Sequence, residues 1–163
     1  MHATEHADLL DDLLDDLTAV FGEPIAIFTR AQAIADGQQV DLSAHPLTKE
    51  AGIAYPIYMT RAAYSQTLAA GGEWRPTAPG SDTELLHLPA GQDLAGRLWD
   101  ICTMLRYAIK ANPRHPGGPL KFSVLVDRHG DGKPKPVTLY ADCGPVDYDD
   151  PAPCITIMTR EDL

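Results

Sequence analysis

The chain is 163 residues long, 44% hydrophobic, and carries a formal net charge of −10. That length and apolar content suit one ordinary domain with a core of its own. The acidity argues against direct nucleic-acid binding, since the chain would repel phosphates; no stretch approaches the roughly 18 apolar residues of a membrane span; and the acidic start is unlike a secretory signal, so a cytoplasmic protein is expected.

Residues 1–23 contain Glu5, Asp8, Asp11, Asp12, Asp15, Asp16 and Glu23 and no Lys or Arg, so this segment holds seven of the ten net negative charges. Within it Leu9, Leu10, Leu13, Leu14, Leu17, Val20 and Phe21 recur at three- and four-residue steps. That spacing predicts an amphipathic helix, an acidic extension over 1–21 ahead of a single α+β domain over 22–163. Such a stripe must dock. Its own domain, a second copy through Leu10, Leu13, Leu14 and Leu17, and a basic host or element-encoded protein facing Asp8, Asp11, Asp12, Asp15 and Asp16 are the three seats the pattern allows.

Gly22-Glu23-Pro24 stops that helix, and a strand is expected over Ile25 to Thr29. Three apolar runs end in Thr-Arg, at Thr29-Arg30, Thr60-Arg61 and Thr159-Arg160. A threonine there can cap the following helical turn, and a glycine can close the helix in the left-handed region. Helices are therefore expected over Ala31–Asp36 before Gly37 and Arg61–Ala70 before Gly71. Between them lie a short strand at Gln39–Leu42, a loose turn or helix at Ser43–Glu50, and a strand at Gly52–Met59 that Pro56 makes an edge or irregular at its start.

Residues 71–91 are rich in Gly, Pro, Thr and Asp and read as one long loop with a brief strand near Glu84–Leu88. Gln92–Ala111 has the widest apolar face in the chain and predicts a central helix buried on more than one side, with Asp93 and Arg97 at ion-pair spacing. Strands follow at Leu120–Asp127, Val137–Cys143 and Cys154–Thr159, an antiparallel meander. The fold expected is thus α+β, a mixed sheet with N-terminal strand-helix units, one long helix and a C-terminal meander.

Candidate chemistry is sparse. Cys102, Cys143 and Cys154 form no C-x-x-C pair, and buried free thiols are expected. Asp127, His129, Asp131 and Gly132 resemble part of a calcium loop, but Thr138 stands where its bidentate acid belongs, so a hairpin turn is expected and no metal site. His2 and His6 lack a third ligand, and phosphate-loop, dinucleotide and nucleophile-elbow motifs are absent, so no cofactor is expected.

The run Ile27-Phe28-Thr29-Arg30-Ala31-Gln32-Ala33-Ile34-Ala35-Asp36-Gly37, with Val40-Asp41-Leu42-Ser43, Tyr55–Arg61, Gly96-Arg97-Leu98-Trp99-Asp100, Cys143-Gly144-Pro145 and Ile155–Met158, resembles an uncharacterised domain family of bacterial plasmids, phages and integrative elements. The resemblance runs from about Phe21 to the C-terminus; that family usually has Leu-Pro in place of Thr159-Arg160, and the acidic helix lies outside its pattern. It implies a mobile-element accessory protein, of a kind that often accompanies counter-defence genes. The leading expectation is a non-enzymatic protein-interaction module, with the acidic face and the corner residues Arg30 and Arg61 as binding groups. The alternative is a small nucleotide-using enzyme: the order Arg30, Thr60, Glu161 is similar to the Arg, Ser/Thr, Glu layout of some ADP-ribosyltransferases. An arginine would grip phosphate, a hydroxyl would hold the ribose, and the glutamate would stabilise an oxocarbenium-like transition state. Against it stands the simpler reading that the threonines cap helices and the arginines reach solvent.

Overall fold

A computed structural model describes residues 28–163. The expected acidic helix, the pair His2 and His6, and most of the strand expected at Ile25–Thr29 lie outside these residues; Phe28 and Thr29 are not in a strand. In chain order the elements are α1 (Arg30–Ala35), β1 (Gln39–Asp41), α2 (Pro46–Glu50), β2 (Ile57–Thr60), α3 (Arg61–Gln66), β3 (Glu73–Pro76), β4 (Glu84–His87), α4 (Leu94–Ala111), β5 (Leu120–Val126), β6 (Lys135–Pro145), β7 (Pro153–Met158) and a closing 3-10 turn (Arg160–Asp162). The fold is α+β.

The main sheet runs β1-β2-β7-β6-β5. The C-terminal meander is antiparallel, and β7 returns to lie parallel to β2 with Ile57 opposite Ile155 and Met59 opposite Ile157. β2 is therefore an interior strand, and Pro56 marks an irregular start, its carbonyl accepting from the Ile155 N–H at 2.9 Å. Alternation sorts the side chains by face. Ile57, Met59, Phe122, Val124, Leu139, Ala141, Ile155 and Ile157 meet Leu98, Ile101, Cys102 and Leu105 of α4 in one core.

The second face is only partly covered. Tyr58 points there from between Ile57 and Met59, and the Arg30 guanidinium of α1 lies 4.3 Å above its ring. Across the rest of this face Ser123, Leu125 and Thr138 are exposed, as an antiparallel sheet allows.

The segment read as a loop over 71–91 contains a hairpin. β3 pairs antiparallel with β4, Glu73 opposite His87 and Pro76 opposite Glu84. The strand at β4 matches expectation; β3, with every residue exposed, has no buried face to give it an alternating pattern.

Two local corrections meet at one joint. α3 ends at Gln66 instead of Ala70, and Arg97 is buried instead of paired with Asp93. Its Nη1 reaches the carbonyls of Thr67, Leu68 and Ala70 at 3.0, 3.0 and 2.7 Å, and its Nη2 that of Asp127 at 3.1 Å. Nε and Nη2 both donate to the Gln92 Oε1, and Gln92 Nε2 donates in turn to the Asp127 carbonyl. The guanidinium satisfies carbonyls of the turn after α3, which at the end of a helix running to Ala70 would have had no intrahelical partner either. Asp93 caps α4, its Oδ1 accepting from the Gly96 N–H at 2.6 Å. Gly71, at φ +71°, completes the turn: a Cβ there would lie 1.8 Å from the Arg128 carbonyl oxygen.

Replacing Arg97 with Met keeps much of its apolar length and removes every donor. Several buried carbonyls then lose their partner, and we expect unfolding stability to fall by about 3–5 kcal/mol, with Arg97→Lys recovering only part because one ammonium cannot span that fork of acceptors. Chemical denaturation of both variants checks this; a loss below about 1 kcal/mol for Arg97→Met would remove the role assigned to it.

Candidate functional site

The three corners are capped as the threonines suggest. Thr29 caps α1 in a reciprocal box with Gln32, Thr60 caps α3 by accepting from the Ala63 N–H, and Thr159 opens the 3-10 turn in a box with Asp162. Corners two and three are joined: Asp162 Oδ2 accepts from the Thr60 hydroxyl, the Thr159 N–H and the Thr159 hydroxyl, each at 2.8 Å. Burial opposes the charge on this carboxyl, but the three donors prevail and hold its pKa below the ordinary carboxylate value.

Arg30 is anchored differently. Its backbone N–H donates to Asp147 at 2.8 Å, its Nε to the Val146 carbonyl at 2.6 Å and its Nη1 to Gln39 at 2.7 Å, while the guanidinium plane stacks on Tyr58. Arg61 gives its N–H to the Gln38 carbonyl and its Nη1 to that of Gly37. Glu161 is exposed on the closing turn. The fold thus places Thr60 beside the turn that carries Glu161, with Arg30 over Tyr58 on the same strand as Thr60. Nε and Nη1 of Arg30 and the hydroxyl of Thr60 are engaged in bonds within the frame.

Two surface features lie elsewhere. A cavity of about 250 Å³ sits past the C-terminal end of α4, lined largely by apolar atoms of Leu105, Ile109, Leu120, Ala141 and Ile155, with His115 and Cys143 on its wall. The second feature is a ridge on the side of α4 facing away from the sheet. There Trp99, Thr103, Arg106, Tyr107 and Lys110 border a groove of about 230 Å³ with Ala51 at the end of α2. Trp99 is 41% and Tyr107 64% exposed, so α4 is buried along one stripe only, against the expectation of burial on several sides. Its spacing of i, i+4, i+7, i+8 and i+11 was visible in the sequence but merged with the core stripe into one wide apolar face.

The cysteines also divide. Cys102 and Cys154 are buried and Cys143 is exposed, all three free. Cys143 faces Ile155 in the ladder and Cys154 faces Gly144, so the two thiols stand at successive, opposite-facing positions. Burial pushes the Cys102 thiol up to about 11 and raises that of Cys154 as well. The Asp127 carboxylate accepts from the N–H groups of His129, Gly130 and Gly132. That is a hairpin turn closed by its own side chain, and no cluster of three or more His, Cys, Asp or Glu suited to a metal occurs among the described residues. Among the same residues no helix is long and apolar enough to cross a membrane.

No protein-family model, curated protein or solved structure gives a significant match to this chain.

Two measurements test this geometry. A thiol reagent should modify Cys143 alone in the native protein, with Cys102 and Cys154 reacting only on denaturation; fast labelling of either buried thiol would contradict the placement. Because the Asp162 pKa is lowered in the folded state, its contribution is complete above the ordinary carboxylate range and is lost as pH falls through the lowered value. Asp162→Ala should therefore cost about 1 kcal/mol at neutral pH, the size of a helix cap, with the difference from wild type shrinking toward pH 3. A pH-independent difference would refute the assignment.

Proposed function

We propose that this chain is a non-enzymatic protein-interaction module, a cytoplasmic accessory protein of a mobile genetic element with a counter-defence role. The observation that carries the reading is the commitment of Arg30 and Thr60 to the frame. An arginine held by a carbonyl, an amide and an aromatic ring, and a hydroxyl held between a helix cap and Asp162, are structural devices. A phosphate gripped through Nε and Nη1 of Arg30, or a ribose held by the Thr60 hydroxyl, would have to displace those bonds.

Charge distribution favours the same reading. The segment 1–23 concentrates seven acidic residues without a balancing cation, which steers a basic partner by long-range attraction and adds specificity more than raw affinity. The mobile-element setting and the counter-defence role rest on the resemblance of the Thr29–Gly37, Gly96–Asp100 and Cys143–Pro145 motifs.

The test uses tagged full-length chain in host lysate beside a variant with Asp8, Asp11, Asp12, Asp15 and Asp16 changed to Asn. A basic protein should be retained by the wild type, lost by the variant, and released as salt rises from about 0.1 M to about 1 M. Equal retention by both chains would overturn the acidic-surface reading. Turnover of a dinucleotide that depends on Glu161 would replace it with the enzymatic alternative.

A further inference from the structure

We propose that the cavity at the C-terminal end of α4 is the seat of this chain's own leucine-striped segment, residues 9–21, which closes the core there and keeps its aspartates outward. The inference is independent of the function above, because it uses the leucine stripe and the function uses the aspartates.

The core is open at this end. Protein interiors pack closely enough that voids larger than a water are few. Yet a cavity of about 250 Å³ lies between α4 and the sheet, and three members of the core, Leu105, Ala141 and Ile155, form part of its wall. Ile109, exposed, and Leu120, half-buried, carry the same apolar wall outward. Lining atoms with nothing against them forgo dispersion contacts, and apolar area of this kind is what a further element covers.

The described chain starts beside the opening. Arg30 is the first residue of α1, and its backbone N–H and Nε donate to Asp147 and to the Val146 carbonyl. Val146 follows three residues after Cys143 of the cavity wall. The sheet narrows there: β5 pairs no further than Ala141 and β2 no further than Ile155, so residues 142–145 and 153–154 form a two-stranded ribbon. A chain leading back from Arg30 can pass beside that ribbon from the Tyr58 face to the α4 face. Three residues of strand and one layer spacing amount to about 20 Å, and the eight residues 22–29 span up to about 28 Å.

Tethering selects the occupant. A short linker that covers its span gives an effective concentration of order millimolar, so a second copy at micromolar concentration would need to bind about a thousandfold more tightly to take the seat. The stripe supplies the right face. At about 100° per residue, Leu9, Leu10, Leu13, Leu14, Leu17 and Val20 fall within an arc of about 140°, and Asp8, Asp11 and Asp15 fall on the opposite side. Charge plays no part in the choice: Asp142 and His115 both line the cavity, and Asp149 and Asp150 lie on the adjoining turn. The groove beside Trp99 offers leucines a wall that includes Thr103, Arg106 and Lys110, a poorer seat for apolar side chains.

Disulfide trapping on the full-length chain tests this, with Cys143 as the reporter on the cavity wall. A cysteine is placed in turn by Leu10→Cys, Leu13→Cys, Leu14→Cys and Leu17→Cys, and on the opposite face by Asp15→Cys. A disulfide needs Cα atoms within about 7 Å, so under mild oxidation at micromolar concentration at least one leucine-face variant should bond Cys143 within a single chain, at least tenfold faster than Asp15→Cys. Adding Cys143→Ser should abolish that product. Separately, a bulky thiol reagent should label Cys143 of the wild type at least fivefold more slowly than Cys143 of Leu13→Ser with Leu17→Ser, both folded by circular dichroism. Where the serine variant fails to fold, trapping alone decides. Equal trapping on the two faces, no bond to Cys143 from any position, or an unchanged labelling rate in a folded serine variant overturns the proposal. Disulfides that join two chains also overturn it, since the segment would then belong to a second copy.

Discussion

The buried Arg97 guanidinium is the constraint on which the rest of this domain depends. It sits on α4 and gathers the carbonyls of Thr67, Leu68 and Ala70, the carbonyl of Asp127, and the side chain of Gln92. Those groups belong to the turn after α3, the end of β5 and the approach to α4, so one side chain ties the N-terminal strand-helix unit to the C-terminal meander. Burial lowers its pKa against the opposing pull of Asp127, and its charge is tolerated because carbonyl dipoles surround it. Gly71 belongs to the same joint, since only a residue without a Cβ lets that turn lie against the Arg128 carbonyl.

Local elements were legible in the sequence wherever one residue type has one physical use. The threonine corners at Thr29, Thr60 and Thr159 could be read because a hydroxyl before a helical turn caps it, and the meander because alternation survives in β5 and β6. Arg97 could not be read. A charged residue four positions after an aspartate looks like half of a surface ion pair, and only tertiary contact shows that its neighbours are carbonyls from distant segments. The hairpin β3–β4 was hidden for the opposite reason: a two-stranded ribbon with both faces toward water has no hydrophobic period to detect.

The candidate site was legible in part. The sequence brought forward Arg30, Thr60 and Glu161 by their order along the chain, and the fold does set Thr60 beside the turn that carries Glu161. Order says nothing about which groups are free, however. Arg30 is stacked and bonded, and the Thr60 hydroxyl is shared between a helix cap and Asp162, so residues that a motif reading marks for chemistry hold corners together. Cys143 shows the same limit: free cysteines are commonly core, which predicted a buried thiol, but its place in the ladder opposite Ile155 leaves it exposed.

The two apolar stripes in this chain pose one problem from two sides. A helix that is hydrophobic nearly all round is read as buried on several sides, and α4 is buried on one. Its remaining face is aromatic and basic, on a chain whose negative charge is concentrated in residues 1–23, seven of ten net charges. Had those acids been spread evenly, the ridge would face a uniformly acidic exterior and nothing would single out a partner. Segregation makes the rest of the chain almost balanced and the N-terminal segment strongly acidic.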